Sequence, residues 1–121
     1  MSAIWKEYEI KWKGRTYHGK PSFNFMMQLE QIAPATELFI KAMEERIKST
    51  EICRIIAVAL KNAGVDVSVE DVFEDKEIKC GLSAEAKQYA FSVLLSFATT
   101  DDEEESKKKE VEPTQEEEPK Q

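Results

Sequence analysis

The segment EICRIIAVALKNAG, residues 51–64, is the part of this chain around which the rest must pack. Ile52, Ile55, Ile56, Ala59, Leu60 and Ala63 follow the i, i+3, i+4 spacing of one helical face. Cys53, Ala57 and Val58 fill most of the remaining circumference, and only Arg54 interrupts the run from Ile52 to Leu60. A helix that is apolar nearly all round is a buried one. It is too short for a membrane span, which needs roughly 20 apolar residues. Ser49-Thr50 with Glu51 in the first turn supplies a start signal, since an acidic residue suits the positive end of the helix dipole. Gly64 supplies the stop, because glycine readily takes the left-handed conformation that closes a helix.

A chain of 121 residues is long enough for one real core. Its formal net charge of −7 is unevenly placed. Residues 99–121 hold ten acidic side chains against four lysines, a net of −6; residues 1–98 hold fourteen against thirteen, a net of −1. The body is therefore electrically balanced and has no basic stripe of the kind nucleic-acid binding requires. Cys53, Cys80 and His18 cannot make up the four ligands of a structural zinc site, so neither metal nor other cofactor is expected. The N-terminal IWKEYEIKWK alternates where a secretory leader would run apolar, which predicts a cytosolic chain with reduced thiols.

Upstream of the central helix, Ile4, Tyr8, Ile10 and Trp12 alternate with Glu7, Glu9 and Lys11. That period of two predicts a half-buried strand over residues 4–12. Lys13-Gly14-Arg15 is a turn, and Thr16 to Gly19 returns as a second strand. Ser22 can cap a helix over residues 23–33 that carries more apolar surface than one contact needs. Two readings of it stay open. It is either sandwiched between the hairpin and the central helix, or it offers Phe23, Phe25, Met26, Met27 and Leu29 to a partner through an adaptable methionine-rich face. Pro34 breaks or starts a helix, and Ala35, Leu38, Phe39, Ala42, Met43 and Ile47 mark the next amphipathic stripe.

Beyond Gly64, Ser68 with Asp71 predicts a short helix over residues 69–75, followed by loop to Gly81. The acidic residues 66–77 lack the spacing of a calcium-binding loop. Ser83 caps a last helix over residues 84–98, with Phe91 and Leu95 standing off its main stripe. These two residues mark either an oligomer contact or packing on two neighbours. With an unpaired strand edge at residues 4–12, they predict self-association. Residues 99–121 contain two prolines and a single large aliphatic side chain, Val111, a composition that predicts a disordered acidic tail. The expected fold is thus α+β and mainly helical. A hairpin packs on four to five helices in a domain of residues 1–98, with the tail as a second region.

The residues contain no nucleophile–base pair, phosphate-cradling glycine loop or ligand cluster, so an enzyme is not expected. The order of pieces carries more. Trp12, Gly14 and Tyr17 form a W-x-G-x-x-Y hairpin, Pro21–Phe23 follows as P-S-F, a helix with Glu30 in its middle comes next, and the central helix closes on Ala63-Gly64. Across residues 4–98 this resembles the tail assembly chaperones of long-tailed phages and gene transfer agents. The resemblance implies a cytoplasmic, non-catalytic protein of an infected or lysogenic host. Such a protein coats the tape-measure protein, recruits tail-tube subunits and is absent from the finished tail. The family often also makes a longer, frameshifted form. The rival expectation is a small cytosolic adaptor or regulator, including one whose acidic tail mimics nucleic acid. Mimicry requires charge organised over a folded face, and here the folded part is nearly neutral.

Overall fold

The computed structural model describes residues 6–98. The expected start of the first strand at residue 4 and the expected tail at 99–121 lie outside them. Strands β1 (Tyr8–Trp12) and β2 (Arg15–Gly19) form one antiparallel hairpin, in which Trp12 faces Arg15 and Tyr8 faces Gly19. Lys13 and Gly14 both take positive φ, 52° and 82°, as the two-residue turn with matching twist demands. Five helices follow: α1 (Phe23–Leu29), α2 (Ala35–Met43), α3 (Ser49–Asn62), α4 (Val69–Phe73) and α5 (Ala84–Ser96). A 3-10 turn at Lys79–Gly81 precedes the last of them.

The central segment behaves as its sequence dictates. In α3, Ile52, Cys53, Ile55, Ile56, Ala57, Ala59 and Leu60 are all buried and Arg54 is exposed. The helix touches α1, α4, α5, β2 and the 3-10 turn. It starts at Ser49, with Lys48 as the cap residue, and the Glu51 carboxylate accepts the Lys48 N–H at 3.0 Å. Gly64 closes it with φ 99°. Ser22, Ser68 and Ser83 cap α1, α4 and α5 through their hydroxyls, as expected.

Tyr8, Ile10 and Trp12 are buried while Glu9 and Lys11 are exposed, so the period of two holds through β1. Tyr8 fastens the hairpin to α3. Its hydroxyl donates to the Ala59 carbonyl at 2.6 Å and accepts from Asn62 Nδ2 at 2.9 Å. Asn62 also donates to the Lys20 carbonyl at 3.1 Å. Gly19 is obligatory opposite this ring, since a Cβ there would lie 2.1 Å from the Tyr8 oxygen. An aromatic chain continues inward, with the Tyr8 and Phe25 rings 5.4 Å apart and the Phe25 and Phe97 rings 5.3 Å apart.

Helix α1 ends at Leu29, not Ala33, and Glu30 is its cap residue instead of a mid-helix one. The residue before a proline disfavours the α conformation, so Ala33-Pro34 cannot continue the helix. Glu30 instead turns its carboxylate to the Ala35 N–H at 3.0 Å and caps the start of α2. Helix α2 stops at Met43, and the chain reverses through Glu45 at φ 57°, although Ile47 still packs against the core from the connector. Lys41 ties α2 to α3 by reaching Glu51 at 3.1 Å, and it lies 3.5 Å from Glu37 on its own helix.

Candidate functional site

The face expected to bind a partner is divided by the fold. Phe25 and Leu29 are fully buried, so these two are core residues and cannot offer themselves on the surface of α1. The reason is the hairpin, which supplies Tyr8 as a packing partner for Phe25 from a segment distant in sequence. Phe23 remains 81% exposed and Met27 49%, one helical turn apart. Met26 is half-buried and lines a small cleft of about 190 Å³ with Phe39, Leu94 and Phe97.

A larger apolar groove lies elsewhere. It occupies about 780 Å³ between the end of α2, the connector to α3, the 3-10 turn and the first turns of α5. Ile52, Gly81 and Ala90 are its buried lining. Met43, 60% exposed, Leu82, 65%, and Phe91 line it from three different elements. Glu45, Lys87 and Gln88 supply polar lining. Phe91 is fixed in place by stacking on Phe39, with ring centres 6.2 Å apart and planes 14° apart. Ile40, exposed one turn before Met43 on α2, extends the apolar surface along that helix.

The turn that delivers Leu82 is unusual. Lys79, Cys80 and Gly81 are all left-handed, with φ of 52°, 61° and 83°. Gly81 sits so close to α3 that a Cβ would lie 2.5 Å from the Ser49 carbonyl oxygen. The preceding loop is held by Asp75, whose carboxylate accepts the N–H groups of Glu77 and Ile78 at 2.9 and 3.2 Å. The Ser83 hydroxyl then starts α5 immediately after Leu82.

Of the residues singled out in the sequence for oligomer contact, Phe91 lines this groove and Leu95 is half-buried. Met43, Ile47 and Leu82 were missed as site residues. Met43 and Ile47 sit in a stripe that reads as core, and Leu82 stands alone in a loop, so only the left-handed turn reveals its role. Cys53 is buried, and burial, helped by the neighbouring Cys80, pushes its thiol up and away from reactivity. Among the described residues, no group of three or more His, Cys, Asp or Glu side chains is placed to hold a metal ion. Nor is any helix among them long and apolar enough to cross a membrane. What the groove can do chemically is take apolar side chains out of water.

The fold and groove define a small α+β domain: a hairpin on a five-helix body, with an open apolar surface assembled from α2, the 3-10 turn and α5. Comparison of the chain with known protein families, with curated proteins and with solved structures gave no match.

Proposed function

We propose that the protein is a tail assembly chaperone of a long-tailed phage or gene transfer agent. It acts without catalysis in the host cytoplasm and holds helical segments of the tape-measure protein in the α2–α5 groove. The observation that carries this reading is the exposure of Met43, Leu82 and Phe91 around one apolar depression. An amphipathic helix presents side chains at i, i+3 and i+4, and a hydrophobic groove between helices is a usual receptor for it. A long tape-measure chain offers many such segments of differing sequence, and methionine and leucine walls adapt to varied shapes better than a rigid polar pocket does. The hairpin residues Trp12, Gly14 and Tyr17 add the family resemblance. Recruitment of tail-tube subunits falls to other surfaces, of which Phe23 and Met27 on α1 are the most exposed apolar pair.

The test is co-expression with the tape-measure protein of the phage or gene transfer agent that carries this gene. The expected result is that the wild-type chain keeps that protein soluble and co-purifies with it, and that Met43→Asp with Leu82→Asp abolishes both effects while circular dichroism stays native. Phe23→Asp should leave tape-measure binding intact. Failure of the wild-type chain to bind or solubilise the tape-measure protein, with salt-sensitive capture of a nucleic-acid-binding protein instead, would move the assignment to the regulator class.

A further inference from the structure

The hairpin has two edges, and the structure treats them differently. In a two-residue hairpin the pair flanking the turn, Trp12 and Arg15, is hydrogen-bonded, and the pairing alternates from there. Glu9 and Lys11 on β1, and Thr16 and His18 on β2, therefore point their N–H and C=O groups outward. Along β1, expected from the sequence to have an open edge, α5 packs against the strand, and the Tyr89 hydroxyl engages the outward backbone of Lys11. At the far end of β2 the Lys20 carbonyl is taken by Asn62. Between these limits, the outward backbone groups of Thr16 and His18 have no partner among the described residues, and both residues are exposed.

We propose that this free edge is a homodimer contact in which β2 pairs antiparallel with β2 of a second copy about a two-fold axis through Tyr17. The register follows from the positions of the outward groups. Thr16 meets His18 of the second copy and His18 meets its Thr16, exchanging about four N–H···O=C bonds. Tyr17 faces its own symmetry mate across the axis as a non-hydrogen-bonded pair, the arrangement that brings side chains closest. The contact is the same patch on both copies, so it closes at two and does not propagate.

Charge selects this occupant. Lysine and arginine beside an open edge normally repel a foreign strand. In this register no cation opposes another: Arg15 faces Gly19, and its diagonal neighbour is the Tyr17 ring, a favourable cation–π partner. The other basic side chains near the edge are engaged within their own chain, whatever the charge state of the ring at position 18. Lys13 lies 3.8 Å from Asp75 and 5.1 Å from the centre of the Trp12 ring, while His18 and Lys20 lie 3.8 and 3.9 Å from Glu7. The result is a four-stranded sheet with α5 of each copy packed against an outer strand, independent of whether the groove binds a tape-measure protein.

The experiment is sedimentation equilibrium of the full chain over a concentration series, compared with Thr16→Pro and His18→Pro. Proline at either position removes an outward N–H and no bond between β1 and β2, so the monomer should keep its circular dichroism. The expected result is dimerisation of the wild-type chain and monomer for both variants at every concentration. A second measurement guards against misfolding of the proline variants. Tyr17→Cys in a Cys80→Ser background, treated with diamide as the thiol oxidant, should cross-link into covalent dimers, because the two residues 17 lie about 4.5 Å apart at Cα in this register. A wild-type chain that stays monomeric, a dimer that survives both prolines, or a dimer that Tyr17→Cys fails to cross-link would each overturn the proposal.

Discussion

Tyr8 is the residue at which the hairpin, α3 and the aromatic chain meet, and its chemistry makes that junction measurable. Its hydroxyl donates to Ala59 and accepts from Asn62 inside the core. Burial pushes its pKa up to about 12, against a smaller opposing effect of the Asn62 hydrogen bond. The folded chain thus favours the neutral phenol more than the unfolded chain does. The resulting stability is complete below the unfolded value near 10 and is lost as pH rises through the folded value. A rise from 10.0 to about 12 corresponds to about 2–3 kcal/mol lost across that window. Tyr8→Phe should cost about 1–3 kcal/mol at neutral pH, because it leaves buried polar groups without a partner. The variant should also lose less stability than the wild type between pH 10 and 12. Urea titrations of both chains over that range check the two effects together.

At the level of elements, the 3-10 turn is the piece with the least freedom. Three consecutive left-handed residues are rare, and only the last of them, Gly81, is a glycine. The turn persists because Gly81 lies against the Ser49 carbonyl, Asp75 holds the loop before it, and Ser83 caps the helix after it. Gly81→Ala combines a positive φ with a Cβ placed 2.5 Å from a backbone oxygen of α3. The variant should lose at least about 1 kcal/mol of stability. It should also shift Leu82 away from Met43 and Phe91, which weakens groove binding beyond the loss of stability. Calorimetry, with tape-measure binding measured well below the melting temperature, separates the two. A fully stable variant with intact binding would show that the turn can relax without consequence.

At the scale of the whole molecule, the described residues 6–98 share one core. Every buried apolar residue described belongs to the hairpin, the five helices or their connectors, and together they form one cluster. The ten acidic residues beyond Thr99 add nothing that such a cluster needs. A chain ending at Ala98 should therefore melt at the same temperature as the full chain and with the same cooperativity. Under the proposed chaperone role, its complex with the tape-measure protein should precipitate at lower concentration, because the net −6 of the tail would no longer keep such assemblies apart. Scanning calorimetry and turbidity are the two readouts, and a broadened melt of the shorter chain would place the tail against the body.

How much of this was legible in the sequence depended on how local the cause was. Period determined the elements: alternation through Tyr8, Ile10 and Trp12 set the hairpin, and the apolar girdle of residues 52–60 set the central helix, because each pattern reports a single segment's exposure. Serine hydroxyls at Ser22, Ser68 and Ser83 fixed three helix starts, since a cap acts within three residues. The groove was not legible in this way. Met43 and Phe25 are both apolar residues on amphipathic helices, and nothing local says that Tyr8 covers one while the other is left in water. Leu82 looked like an isolated loop residue until the left-handed turn at Lys79–Gly81 placed it beside Phe91. Which strand of the hairpin packs against α5 was decided by a contact between segments some eighty positions apart. Sequence period decides which side of an element is apolar; only the packing of distant elements decides which apolar side chains, and which backbone groups, remain without a partner.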